Sequence, residues 1–217
     1  MHKQEALEAL KKAKTESKKR NFNQGVDLII NLKGIDLKKT ENQIDIFVQL
    51  HYPPGKKIKI CALVGAELMD EANKTVDKTI LSDDFDAYAQ NKKLAKKLAR
   101  EYDYFIGQAN IMPKIASVFG KTLGTKGKMP NPKAGCIVPP KTNLNPLVEK
   151  LQKLVRASAR TAPVIHTGIG KEDMDEEQVF DNILTVYNAV VAKLPNGEHN
   201  IKSVYIKLTM GKAIKVK

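Results

Sequence analysis

Ser203-Val204-Tyr205-Ile206-Lys207-Leu208-Thr209-Met210-Gly211, near the C-terminal end of the chain, alternates at period two. Val204, Ile206 and Leu208 share one face, and Tyr205, Lys207 and Thr209 share the other. That is the pattern of a half-buried strand whose open face is polar and basic. From Ile201 to Lys217 there are five lysines and no acid. Gly211 would let another backbone approach closely, and a run of RNA phosphates suits such a surface. The competing reading is an edge strand with solvated lysines.

A half-buried strand needs partners, and the matching texture lies at the other end of the chain. Val26, Leu28, Ile30 and Leu32 alternate inward, which places Asp27 on the opposite face. Ile44, Ile46, Val48 and Leu50 form a second such strand after a turn at Lys38-Lys39-Thr40-Glu41-Asn42. Residues 3–20 read as a helix with an apolar stripe of Ala6, Leu7, Leu10 and Ala13. Its end, Lys18-Lys19-Arg20, suits the negative pole of a helix. Toward the C-terminus, residues 162–166 read as a strand and 167–171 as a turn. Asp175 with Gln178 then forms a capping box opening a helix. That helix turns Ile183, Val186, Tyr187, Val190 and Leu194 to one side and ends at Pro195-Asn196-Gly197. Each end of the chain thus offers a helix and two strands, and neither is complete alone. The two ends are expected to fold together as one α+β domain, residues 1–54 with 154–217.

Between them the texture changes. His51-Tyr52-Pro53-Pro54-Gly55-Lys56-Lys57 is a stiff connector or hinge. Strands at 58–64, 78–81 and 104–107 then alternate with helical stretches at 66–74, 84–100, 111–119 and 146–154. Such alternation implies a parallel sheet with crossovers, an inserted α/β domain over 55–153. It carries an acid-free loop, residues 120–135, with four glycines, four lysines and two prolines. A phosphate-loop reading fails, because Gly127-Lys128 would need glycine at 122 and Ser or Thr at 129, where Thr122 and Met129 stand. The dinucleotide fingerprint is missing as well. The loop reads instead as a prolyl-stiffened basic finger, its Lys121, Lys126, Lys128 and Lys133 set to touch nucleic-acid backbone. Residues 92–100 add a helix with a lysine face, solvated or turned to RNA.

Composition points the same way. Lysine and arginine number 37 against 24 acids, a net charge of +13, which favours a polyanionic partner. No apolar run approaches the ~20 residues of a membrane span, and the N-terminal residues lack a signal-peptide core, so a cytoplasmic protein with no membrane partner is expected. Cys61 and Cys136 fit reduced thiols, and the four scattered histidines have no zinc spacing. No serine sits in a nucleophile elbow. Asp83, Asp84 and Asp86, and the acids from Glu172 to Glu177, mark helix starts. No catalytic residue, metal or cofactor is therefore expected.

Two motifs carry a resemblance that runs over essentially the whole chain. Leu123-Gly124-Thr125-Lys126-Gly127-Lys128-Met129-Pro130-Asn131-Pro132-Lys133-Ala134-Gly135 and Lys207-Leu208-Thr209-Met210-Gly211 closely resemble the universal ribosomal stalk protein, the L-one family, in its archaeal branch. The resemblance implies a two-domain α+β and α/β fold. A discontinuous split α+β sandwich would come from both chain ends, with an inserted Rossmann-like three-layer α/β/α domain and a hinge. It implies a monomer within the large ribosomal subunit that binds large-subunit rRNA at the base of a mobile stalk. It further implies help in releasing deacylated tRNA at the exit site and repression of the protein's own mRNA. By position, the rRNA- and mRNA-binding residues would be Phe22, Asp27, Ser203, Lys207, Thr209, Met210 and Gly211, with the basic loop contacting tRNA or rRNA. Asp27 stands where many relatives have Glu, and Gly25 where some have Thr. Thr125-Lys126 replaces the common Pro-Arg, which alters stiffness and bidentate reach but not charge, and Lys212 replaces the common Pro, which alters stiffness. The alternatives are a nonspecific basic nucleic-acid-binding protein, or an enzyme built on the inserted domain.

Overall fold

A computed structural model describes residues 3–216; Met1, His2 and the last tail lysine, Lys217, lie outside it. In chain order it contains α1 (Lys3–Glu16), β1 (Gly25–Leu32), β2 (Ile44–Gln49), β3 (Ile60–Val64), α2 (Met69–Thr75) and β4 (Lys78–Leu81). Next come α3 (Phe85–Gln90), α4 (Lys92–Glu101), β5 (Tyr104–Gln108), α5 (Met112–Gly124), β6 (Ile137–Val138) and α6 (Asn145–Gln152). The chain closes with β7 (Leu154–Ala159), β8 (Val164–Lys171), α7 (Glu176–Lys193), β9 (Ile201–Leu208) and β10 (Ile214–Lys215). It divides into two units, one up to Lys56 and again from Lys153, the other Lys57–Gln152.

The first unit is built on the pairing of the chain ends. Its antiparallel sheet runs β10-β9-β1-β8, so β9 lies inside the sheet and is not an edge. Val204, Ile206 and Leu208 are fully buried against Val26, Leu28 and Ile30 and the inward side of α7. Helix α1 covers the same core with Ala6, Ala9 and Leu10. It stops at Glu16, short of the expected residue 20, so its last-turn base is Lys14 and Lys18-Lys19-Arg20 lie beyond the helix. The ammonium of Lys14 donates to the Met174 carbonyl.

Three further expectations change. The stretch 146–154, read as helix, ends as α6 at Gln152, and Leu154 opens β7, a strand that no Gly or Pro announces and that pairs with β2. Residues 167–171 are strand and not turn, because Thr167 and Ile169 continue the inward alternation of Ile165, with Gly168 on the opposite face between them. Asp175 stands at the N-cap of α7 but its side chain makes no capping bond, so the capping box is not formed. On the β2–β7 ribbon, Asp45 receives a two-pronged contact from Arg156 (2.6 and 3.1 Å) and a further bond from Arg160.

The second unit holds the parallel sheet β4-β3-β5-β6. Every residue of β3 is buried, as in a sheet covered on both faces. Cys61, Leu63 and Phe105 join one cluster with Phe85, Leu98 and Phe119 from the neighbouring helices, whereas Ile60, Ala62, Val64 and Ile106 are buried away from it. The helical stretch 84–100 is broken at Asn91, whose Oδ1 accepts from the Lys93 and Leu94 amides at the start of α4. Asp84, at the N-cap of α3, makes no side-chain capping bond. Helix α5 runs on to Gly124, so Lys121 is helical and Leu123 is fully buried. Both cysteines are free and buried, which pushes the Cys61 thiol to about 12 and the Cys136 thiol to about 11.

In open parallel sheets, ligands bind where the strand order reverses, here between β3 and β5. Gln108 fills that place with its own side chain. Its Oε1 accepts from the Gly65 amide at 2.8 Å and its Nε2 donates to Glu67 at 3.4 Å.

Two outcomes test this packing. At pH 8 an alkylating reagent should leave both cysteines unmodified in the folded protein and label both in denaturant; rapid labelling of the native protein would contradict their burial. For Asp45, burial raises its carboxyl pKa, but the hydrogen bonds and charges of Arg156 and Arg160 outweigh that and hold it below the usual carboxylate value. A depressed folded-state pKa gives stability that is present above the unfolded value and lost as pH falls through the folded one. Asp45→Ala should therefore lower stability by about 1–3 kcal/mol at pH 7. In urea melts, that gap from wild type should narrow as pH falls below about 4. A gap unchanged at acid pH would refute the assignment.

Candidate nucleic-acid interface

The open face of the first unit's sheet is assembled from three strands. Asp27 lies between Gly168 of β8 and Lys207 of β9. Ile29 lies between His166 and Tyr205, and Asn31 between Val164 and Ser203. Because Gly168 has no side chain, Asp27 borders a shallow bare patch; a Cβ there would sit 3.6 Å from its Oδ1. The side chain of Asp27 is 22% exposed. Among the described residues no group donates a hydrogen bond to it, and the His166 ring stands near it, with Nε2 at 3.7 Å. Lys207 does not pair with it, since its ammonium donates to the Thr209 carbonyl at 3.3 Å.

One end of this face is locked by the turn after β9. The Thr209 amide donates to the Gly25 carbonyl at 3.0 Å, and the Gly25 amide donates to Thr209 Oγ1 at 3.0 Å. Thr209 Oγ1 in turn donates to the Gly25 carbonyl at 3.2 Å, so its proton is committed within the protein. Gln24, fully buried, accepts the Met210 amide on Oε1 and donates from Nε2 to Ser17. The Gly211 amide closes the turn on the Leu208 carbonyl. A Cβ at Gly211 would lie 3.2 Å from Leu208 Cβ, so the close neighbour of this glycine is its own chain. This scaffold leaves two large apolar side chains in solvent, Phe22 at 53% and Met210 at 59% exposed. Beside Phe22 a concavity of about 410 Å³ is lined by Lys19, Arg20, Glu172 and Asp173.

The structure thus gathers Asp27, Lys207, Thr209, Met210 and Gly211 at one end of the sheet, with Phe22 two residues before Gln24. Ser203 stands apart. It shares the face of Tyr205 and Lys207 but is buried there beside Asn31, whose Nδ2 donates to its hydroxyl at 2.9 Å, so little of it meets solvent. Gln24 and Gly168 went unread in the sequence. Gln24 precedes the alternating run, and Gly168 looks like a turn residue until its strand is seen.

The loop lysines belong to the other unit and differ among themselves. Lys126 and Lys133 are exposed, and Lys121 is exposed on α5. Lys128 is only partly exposed, because its ammonium donates to the Tyr102 carbonyl at 2.6 Å. Among the described residues no group of three His, Cys, Asp or Glu could hold a metal ion, and no helix is long and apolar enough to cross a membrane.

The model of the ribosomal protein L1p/L10e family matches residues 10–212. The chain is 44% identical over 215 residues to the large ribosomal subunit protein uL1 of Pyrococcus abyssi, covering 99% of this chain and 96% of that protein. It is 40% identical over 214 residues to the uL1 protein of Methanothermobacter thermautotrophicus, covering 98% and 99%. For the uL1 protein of Nanoarchaeum equitans the identity is 41% over 215 residues, covering 97% and 99%. With a mixed parallel and antiparallel two-unit fold and similarity along nearly its whole length, the chain belongs to the ribosomal protein L1p/L10e family, in its archaeal form, and is a ribosomal protein rather than an enzyme.

Proposed function

We propose that the first unit binds ribosomal RNA with the sheet end around Asp27 and Met210. As a member of its family, the protein is a structural constituent of the large subunit of the cytoplasmic ribosome. The carrying observation is Asp27, a carboxylate mostly sheltered among strands that takes no hydrogen bond from any of the described residues. In a chain of net charge +13 such an acceptor calls for an external donor, and the 2′-hydroxyls of an RNA minor groove supply one. Phe22 and Met210 then lay exposed apolar area on sugars, and Lys207 with the surrounding lysines meets phosphates. Thr209, Gly211 and Gln24 shape the surface, and Ser203 supports it through Asn31.

The same surface, taking a similar RNA fold, would bind the protein's own mRNA and repress its translation. In the second unit, Lys121, Lys126 and Lys133 are the cations that would meet tRNA leaving the exit site, while Lys128 holds the loop in shape.

A stalk rRNA fragment titrated against excess unrelated duplex RNA over a salt series tests the sheet-end reading. Met210→Ala and Asp27→Ala should each weaken binding by about 1–3 kcal/mol. Thr209→Val should weaken it too, with a loss of about 1 kcal/mol in stability from the unmet Gly25 amide. Lys126→Ala with Lys133→Ala should leave this fragment's affinity nearly unchanged. Binding that disappears into the competitor, leaving only a steep salt dependence, would instead mean a nonspecific polyanion binder.

A further inference from the structure

The second unit carries a basic groove of its own. Helices α3, α4 and α5 pack against one another, and between them lies a concavity of about 640 Å³. Its rim holds Lys92, Lys96 and Arg100 from α4 with Lys121 and Lys126 from α5 and the loop after it, and no acidic residue lines it. Among the described residues none of these five cations makes an ion pair.

A merely solvated helix face does not account for this arrangement. Lys92, Lys96 and Arg100 stand four residues apart, a like-charge ladder that weakens a helix. Lys92 and Lys93 also occupy the first turn of α4, which has no acid, against the sense of the helix dipole. The sequence thus keeps unneutralised cations where helix stability opposes them, and it keeps them around one concavity. The apolar floor differs from the rim: Ala95 is buried, Val118 and Tyr88 are half-buried, and the Tyr88 ring centroid lies 5.5 Å from that of Phe119. A basic rim suits phosphates, and an apolar floor with an aromatic ring suits a base. The volume falls within the roughly 300–1,000 Å³ of clefts that take small ligands.

We propose that this groove is a second RNA site, seating one or two nucleotides of a single-stranded segment with phosphates on the rim cations and a base against Tyr88. It is independent of the sheet-end site around Asp27 and Met210.

The test uses the full chain and fluorescein-labelled hexauridylate, followed by anisotropy across a salt series. The triple variant Lys96→Gln, Arg100→Gln, Lys121→Gln should weaken binding at least about tenfold at low salt. It should also make the log–log salt slope shallower by about two, from three lost phosphate contacts at ~0.7 each. A control of equal charge loss in an exposed loop, Lys33→Gln, Lys38→Gln, Lys39→Gln, should change affinity less than about threefold. Tyr88→Leu, checked for an intact thermal transition, should weaken binding with the salt slope unchanged. Equal losses in the groove and control triples would overturn the site, as would wild-type affinity in the groove triple or in folded Tyr88→Leu. The stalk rRNA fragment separates the two proposals: the groove triple should hold it as wild type does, and Met210→Ala should keep hexauridylate binding while losing the fragment.

Discussion

The antiparallel ladder between β1 and β9 is the constraint on which the first unit depends. It joins residues 25–32 to residues 201–208, so one sheet is made from both ends of the chain. Each strand brings an apolar face too large to leave in water, and those two faces close the core under α1 and α7. A polypeptide that unites its ends must carry everything between them as an excursion. Residues 57–152 form that excursion, with a parallel sheet and helices of their own.

The same ladder positions the candidate interface. Pairing sets Asp27 opposite Lys207 and brings the turn at Thr209 onto Gly25. Once Thr209 and Gln24 have used their polar groups on the backbone, the turn is rigid without further help, and Met210 is left outside. The surface therefore has a fixed shape, a carboxylate at Asp27 that takes no hydrogen bond from the described residues, the exposed apolar side chains of Phe22 and Met210, and a basic surround. That is a surface suited to RNA read by shape and 2′-hydroxyl more than by base sequence. Charge then acts at longer range, drawing a polyanion toward a protein whose lysines outnumber its acids.

The inserted unit shows how little a fold class says about activity. Its sheet has the order reversal at which related architectures hold nucleotides, and Gln108 closes that position with two hydrogen bonds. Its accessible chemistry lies elsewhere, on helix surfaces and on the loop after α5.

Much of this was legible in the residues, because period-two burial is a local property. The inward sets of β1 and β9, the exposure of Lys207 and the alternation of strand and helix after Gly55 all follow from apolar spacing. What escaped is non-local. β7 lacks turn residues before it and is half small side chains, so only its partner β2 makes it a strand. The glycines of β8 read as a turn until the neighbouring strands supply their hydrogen bonds. Ser203 and Lys128 look like available polar groups in any sequence, yet Asn31 and the Tyr102 carbonyl occupy them. The amino-acid order by itself determined which faces seek the core and how strongly the molecule attracts anions, since hydropathy and charge belong to single residues. Only the tertiary structure decided which polar groups remain free to bind, because a hydrogen-bond partner distant in the chain is chosen by the packing that brings it near.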